Sequence, residues 1–263
     1  MPKKSNPVWW RIVLTVIGLL VWVGVSIIAS QLIIGYLMIW ILGSDNFSQP
    51  VSMAVYSALS YLFAMVLIIA IPPILKSKQK NNKEKQALKN DKKESFRESL
   101  GLRDWPTWTD VGLAPAGFIA YLLLAWLFTT LFTIFPWFNV AEAQDVGFNY
   151  YLTGIDRFIA FTVLVVVAPI AEEIIFRGWL YDKLRGKLLE KYSNIVSIIV
   201  SCFLTSLLFG IIHLQWNVGV NVFAMSLVLC VMREITGTIY AGILLHMIKN
   251  GLAFYLLYVL GIR

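Results

Sequence analysis

The 263-residue sequence has few charged residues, which make up only 14% of the chain against 59% hydrophobic residues. A soluble domain carries more charge than this on its surface, so the composition excludes an ordinary soluble protein and indicates a membrane protein. Cysteine is scarce as well. Cys202 and Cys230 lie in apolar segments without a CxxC spacing, and the chain has no HExxH motif and no repeat of fixed period. We therefore expect the two cysteines to be small core side chains, which say nothing about redox compartment. The missing HExxH motif argues against the common class of zinc proteases.

Positive charge is concentrated in one polar stretch. Nine Lys and Arg residues lie between Lys76 and Arg97, whereas most apolar stretches carry none. No aromatic or glycine-bearing nucleic-acid motif accompanies this stretch, so we expect no nucleic-acid partner. Lys and Arg accumulate in cytoplasmic loops of membrane proteins. The stretch therefore predicts a basic cytoplasmic linker, with a solvated tether favoured over a helix lying on anionic lipid.

Seven apolar segments approach the length of about 20 residues that crosses a bilayer. They cover residues 9–42, 51–75, 111–136, 158–180, 194–214, 219–233 and 239–262. We therefore predict an all-α, polytopic membrane helical bundle with about seven transmembrane helices. The first segment is too long for one perpendicular crossing and too short for two, so it predicts a tilted or projecting helix. The sixth is short, which predicts a partial or strongly tilted span.

The loops between these segments predict the orientation and the domains. With seven crossings, the basic clusters fall on one side and the opposite loops hold only Arg157. This asymmetry predicts a cytoplasmic N-terminus. The chain then divides into an N-terminal transmembrane hairpin at 1–75, the basic linker at 76–104 and a core at 105–263.

Several polar side chains interrupt the last four apolar segments. They are Glu172, Glu173, Arg177, His213, His246 and Asn250. A charged side chain at the bilayer centre costs roughly 2.5 to 3.5 kcal/mol on insertion scales, so it persists where it is paired, faces a wet cavity or has a function. For one histidine alone, a structural hydrogen bond between helices is the better explanation. The whole set together favours a functional site.

The spacing of these residues assigns them to helix faces. Glu173 and Arg177 are separated by four residues, which allows a carboxylate and a guanidinium to meet on one helix face as a structural ion pair. Glu172 lies about 100 degrees around the same helix and remains without that partner. His246 and Asn250 are again four residues apart, so an imidazole and an amide project from one face of the last span.

A helical hairpin would bring the first glutamate level with the first histidine. Glu172 lies about 19 residues before a predicted turn at 191–194, and His213 lies about 20 residues after it. Both are then about 28 to 30 Å from the turn. This hypothesis requires that the fourth helix continues through Gly178 and Gly186.

A carboxylate, two imidazoles and an amide in a low-dielectric cavity fit peptide hydrolysis without a covalent intermediate. The carboxylate activates water as a general base, one histidine holds that water, and the other two groups donate to the oxyanion. A zinc site formed by Glu172, His213 and His246 is the alternative that this chemistry leaves open. Pro169 either opens the backbone beside Glu172 for a substrate strand or merely bends the helix.

Three motifs carry a resemblance to a known family. They are EEIIFR at 172–177, FGIIH at 209–213 and HMIKN at 246–250. In this order and spacing they resemble the EExxxR, FxxxH and HxxxN motifs of the CPBP family. This family groups CAAX-processing and bacteriocin-processing intramembrane endopeptidases, including the Ras-converting enzyme and bacterial Abi proteins. The resemblance covers about 155–255, and the run LGLRDWPTW at 100–108 resembles the approach to the core in bacterial members.

The resemblance implies a catalytic core in the last four helices and a role for each motif residue. Glu172 activates the water with His213, whereas His246 and Asn250 stabilise the oxyanion. The supporting residues are Glu173, Arg177 and Phe209. The implied enzyme is a CAAX-type endopeptidase that needs no cofactor, with zinc as the less favoured alternative.

The same resemblance implies the location and the kind of substrate. We expect an integral protein of a bacterial plasma membrane that acts on a membrane-embedded or lipidated polypeptide within the lipid bilayer. The sequence does not indicate the substrate's identity or the oligomeric state. Two other classes remain open: a non-catalytic immunity or regulatory protein that uses the polar cluster for helix packing, and an ion-coupled transporter. The missing repeats argue against the transporter.

Overall fold

The structure, a computed structural model, describes residues 8–47, 49–72, 96–103, 105–142, 152 and 154–261. This part of the chain is helical and contains no strand. Seven helices are long and apolar enough to cross a membrane. They are α1 (Val8–Leu42), α2 (Pro50–Ala70), α3 (Trp108–Phe132), α4 (Gly154–Leu189), α5 (Asn194–Ile211), α6 (Trp216–Thr236) and α7 (Tyr240–Tyr258). The predicted all-α bundle with seven spans is confirmed, and the chain is an integral membrane protein.

Two of the seven spans had uncertain lengths in the sequence. Helix α1 is one continuous helix of 35 residues, which is about 52 Å long and exceeds the hydrocarbon core of about 30 Å. It must therefore tilt or project, as predicted. Helix α6 has 21 residues, so the expectation of a partial sixth span was wrong. The helix begins at Trp216, three residues before the predicted segment, and it continues past Arg233 to Thr236. The polar residues at both ends hid these turns from a count of apolar residues.

Helix α4 is continuous over 36 residues and passes through Gly178 and Gly186 without a break. The condition for the predicted hairpin is therefore met. Two stretches of α4, Thr162–Val167 and Ile174–Leu180, have the wider π-helical turn, a feature that is common at functional sites. After α4 ends, the Ser193 side chain accepts a hydrogen bond from Val196 N at 3.4 Å and caps the start of α5.

The packing of the helices leaves an apolar outer surface. Helix α6 packs against α5 and α3, α3 packs against α7, and the α1–α2 hairpin lies against α4. Many large apolar side chains face outward from the bundle, among them Leu32, Trp40, Leu123, Trp126 and Ile199. So much exposed apolar surface is unfavourable in water and favourable against lipid chains.

Two glycines, Gly210 and Gly219, bring α5 and α6 into close contact beside the turn that joins the two helices. A Cβ atom at Gly210 would lie 2.8 Å from the carbonyl oxygen of Gly219, and one at Gly219 would lie 2.9 Å from that of Gly210. Small residues let two membrane helices approach in this way. The turn between these glycines contains His213.

The predicted basic linker lies largely outside the described residues. Where the description resumes, Gly101 O accepts a hydrogen bond from Ile239 N at 3.1 Å, which ties this segment to the start of α7. Thr107 caps α3 in a reciprocal pair with Asp110, as the capping-box pattern requires. The domain boundaries and the cytoplasmic N-terminus stay predictions.

Candidate active site

A buried ion pair organises the middle of α4. Arg177 Nη1 donates to Glu173 Oε1 at 2.8 Å, and the two side chains are 1% and 0% exposed. The guanidinium also lies 4.7 Å from the centre of the Phe209 ring, a favourable cation–π geometry. Space for this pair depends on Gly242 of α7, where a Cβ atom would lie 3.2 Å from Glu173 Oε2.

His246 lies between the two adjacent glutamates of α4. Its Nδ1 is 3.1 Å from Glu173 Oε1, and its Nε2 is 3.7 Å from Glu172 Oε2. An ionised carboxylate only accepts hydrogen bonds, so Nδ1 carries the proton towards Glu173. The second ring nitrogen therefore faces the carboxylate that Arg177 does not serve.

Glu172 accepts a hydrogen bond from a tyrosine that was not predicted from the sequence. Tyr61 of α2 donates its hydroxyl to Glu172 Oε1 at 2.5 Å, a short, charge-assisted bond. The signal was a polar stripe in the second apolar segment, in which Tyr56 and Ser60, and likewise Ser57 and Tyr61, are four residues apart and so lie on one side of the helix. Polar residues on one face of an apolar helix indicate that the face is turned inward.

His213 lies in the turn between α5 and α6, two residues beyond the end of α5. The sequence predicted that His213 lies within the fifth span, because the apolar residues continue beyond the end of the helix at Ile211. Its Nδ1 is 2.7 Å from Phe209 O. Since a carbonyl only accepts, Nδ1 is the donor, and in the neutral ring Nε2 is left as an acceptor. Phe209 also packs edge-on against the His213 ring at 5.0 Å.

A cavity of about 190 Å³ contains both Glu172 and His213. The α1–α2 hairpin forms its opposite wall and supplies six polar side chains: Ser30, Gln31, Tyr56, Ser57, Ser60 and Tyr61. A polar cavity of this size has room for water. The Glu172 carboxylate and the His213 imidazole therefore line the same cavity, as expected for a helical hairpin that brings them to the same level.

Asn250 contacts the backbone of α4 through one N–H of its amide. Its Nδ2 donates to Leu164 O at 2.9 Å. In the π-helical stretch Ala168 N pairs with Val163 O, so the next acceptor, Leu164 O, would pair with residue 169. That residue is Pro169, which has no N–H. The proline thus frees a carbonyl, and Asn250 satisfies it.

The structure brings most of the predicted site residues together, with Asn250 as the exception. Glu173, Arg177, Phe209 and both histidines form a connected set around Glu172, whereas Asn250 lies one helical turn beyond His246 and faces Leu164. Within the described residues, no three His, Cys, Asp or Glu side chains form a group that could hold a metal ion. Glu172, His213 and His246, the alternative zinc ligands, do not form such a group in this part of the chain.

Comparison with known proteins identifies a family that matches part of the chain. Residues 154–252 match the family described as type II CAAX prenyl endopeptidase Rce1-like. Neither the curated proteins nor the solved structures gave a match to the chain. The matched region is an Rce1-like domain, and this confirms the resemblance to the CPBP family. The domain contains the motif residues of α4 to α7, but Tyr61 lies outside it.

Proposed function

We propose that this integral membrane protein, with its Rce1-like domain, is an intramembrane endopeptidase acting on a membrane-associated or lipidated polypeptide. The family match supports a CAAX-type protease. One observation supports the mechanism. Glu172 and His213 line the same polar cavity, and Glu172 Oε2 is 3.7 Å from His246 Nε2. The proposed base thus shares the cavity with one imidazole and has the second imidazole beside its Oε2 atom.

The hydrogen-bonding capacity of this space fits an attacking water. Glu172 and the Nε2 atom of His213 are both acceptors, so one water can donate a proton to each of them. Its remaining lone pairs are then free to attack a carbonyl carbon. Tyr61 fixes the orientation of Glu172 by donating to the oxygen that His246 does not approach. Because the base is held in place, little reorganisation precedes the attack.

The reaction then runs without a covalent enzyme intermediate. Glu172 takes a proton from the water, and the hydroxide forms a bond to the carbonyl carbon. The carbonyl oxygen becomes an oxyanion, to which the second N–H of Asn250 donates; His246 donates through Nε2 when both of its ring nitrogens carry a proton. Glu172 returns the proton to the leaving nitrogen as the peptide bond breaks. The products are a new carboxylate and a new amine.

Glu173 and Arg177 support the site without taking part in the proton transfers. The carboxylate of Glu173 holds His246 through Nδ1, and Arg177 compensates the charge of Glu173. Such partners fix the tautomer and the orientation of an imidazole. Phe209 packs between the guanidinium and the His213 ring. These three residues therefore position the two histidines.

The replacement Glu172→Gln tests the proposal. It keeps the shape of the side chain and removes the base, so cleavage of a farnesylated peptide ending in a CaaX sequence should fall by about 10² to 10⁴-fold or more. Thermal unfolding of the purified variant checks that the bundle is intact. Wild-type cleavage by a folded Glu172→Gln chain would contradict the role of Glu172 as the base. No cleavage by the folded wild-type chain would instead favour a packing role for the polar cluster, as in a non-catalytic immunity or regulatory protein.

A further inference from the structure

A single amide interrupts the apolar sequence of α1. Gln31 is the only Asn, Gln or charged residue between residues 12 and 42. An amide surrounded by hydrocarbon is costly unless its hydrogen bonds are made. Its presence in the middle of a membrane helix therefore indicates that it has a partner or a function.

Gln31 lines the cavity that also contains Glu172 and His213. Its side chain is exposed, so it lies where this cavity opens and not in the packed core. Two other polar groups of the α1–α2 wall already have partners, because Ser30 donates to Ile27 O at 2.7 Å and Tyr61 donates to Glu172. Within the described part of the chain, Gln31 makes no hydrogen bond. Its amide is therefore available to a ligand in the cavity.

The substrate of a peptidase brings unpaired backbone groups into such a cavity. A peptide bond must leave its helix or strand before water can reach it, and its neighbouring N–H and C=O groups then need new partners in a low-dielectric space. An amide side chain offers an acceptor oxygen and two N–H donors. Because one extended residue presents its N–H and C=O on the same side, Gln31 can pair with both groups, as a neighbouring strand does.

We propose that Gln31 is a substrate-binding residue whose amide pairs with the backbone N–H and C=O of one residue beside the scissile bond. The inference rests on the proposed peptidase function, and Gln31 lies outside the matched domain at 154–252. Backbone groups are common to all residues, so this contact selects an extended chain and not a particular side chain. The substrate is thus a polypeptide whose segment at the cavity is unwound.

Backbone ester substitution tests the pairing, because it replaces one peptide N–H by oxygen and leaves every side chain in place. The probe is a fluorescent farnesylated peptide ending in a CaaX sequence, made as a series with one ester at each position except the scissile bond. The protein is the full chain with Glu172→Gln in nanodiscs of phosphatidylcholine, so binding is measured without turnover. We expect the ester at one position to weaken binding about 3- to 10-fold.

Gln31→Met removes the amide and keeps an unbranched side chain. It should weaken binding of the all-amide peptide about 5- to 100-fold and abolish the ester effect at that one position. Leu32→Met is the matched control, because Leu32 is 68% exposed on α1 and does not line the cavity. It should preserve both the affinity and the ester effect. Thermal unfolding of each variant checks the fold, and Gln31→Leu is the second apolar replacement if the methionine variant does not fold.

The coupling between the ester and the variant separates pairing from packing. If Gln31 only packs α1 in place, its replacement lowers the affinity of every peptide by one factor and leaves the ester effect unchanged. That result would overturn the inference, and so would an unchanged affinity in the folded Gln31 variants.

Hydrolysis by the wild-type chain separates the two proposals. If the peptides are cut but show no coupling to Gln31, the peptidase stands and the inference is wrong. If the coupling is found but no peptide is ever cut, Gln31 stands as a peptide-binding residue and the proposed peptidase is wrong.

Discussion

Tyr61→Phe is the sharpest test of the base, because it removes one hydroxyl and keeps the ring. The lost bond joins the phenol to Glu172 Oε1 at 2.5 Å. A hydrogen bond to a charged group contributes about 1.5 to 3 kcal/mol, and each 1.4 kcal/mol is a factor of ten. If the bond orients the base in the transition state, kcat at neutral pH should fall about 10- to 100-fold.

The division between kcat and stability separates positioning from packing. If the hydroxyl only orients the base, kcat should fall while KM and the thermal unfolding midpoint stay close to the wild-type values. A purely structural tyrosine would lower the unfolding midpoint, and the loss of kcat would follow the loss of folded protein.

The measurement is hydrolysis of a farnesylated CaaX peptide at neutral pH by protein in liposomes, together with thermal unfolding of each variant. Tyr36→Phe is the matched control, because Tyr36 is 72% exposed on α1 and should have no effect. The reasoning is refuted if Tyr61→Phe retains the wild-type kcat.

Three further predictions concern the rest of the site. Arg177→Met leaves Glu173 charged and buried, so thermal unfolding should show a loss of about 3 to 5 kcal/mol; a variant of wild-type stability would contradict the ion pair's role. Pro169→Ala restores an N–H opposite Leu164 O, so Asn250→Ala should cost about 1 kcal/mol less stability in that background than in the wild type. Additive losses of stability would show that Asn250 does not compensate for the proline. Exhaustive chelation should leave hydrolysis intact, whereas loss of activity with recovery on zinc addition would favour the metal alternative.

The sequence predicted the helices and the motif residues because both depend on strong, local signals. A run of about 20 apolar residues has few alternatives to a membrane span. Glu172 and Arg177 in such a run are conspicuous because burying charge in lipid is costly. The length of α6 escaped prediction for the same reason, since Arg233 and Glu234 continue a helix whose composition no longer looks apolar.

The sequence did not predict the contacts between helices that are far apart in the chain. Tyr61 and Glu172 are 111 residues apart, and a hydroxyl in an apolar span is also explained by ordinary helix packing. Helix packing and the π-helical turns of α4 decide which residues face the same cavity. Neither can be predicted from a short stretch of sequence.

The α1–α2 hairpin is part of the site in physical terms, although the family match begins only at residue 154. Residues 154–252 alone would leave Glu172 without the Tyr61 hydroxyl and open the cavity on the side that the hairpin closes. Lipid chains would then reach the carboxylate, and an ionised group facing hydrocarbon is strongly disfavoured. A polar wall is therefore needed to keep the base ionised and hydrated. Because hydroxyl and amide groups can also pair with an extended peptide backbone, the same wall is suited to hold the substrate strand against the water.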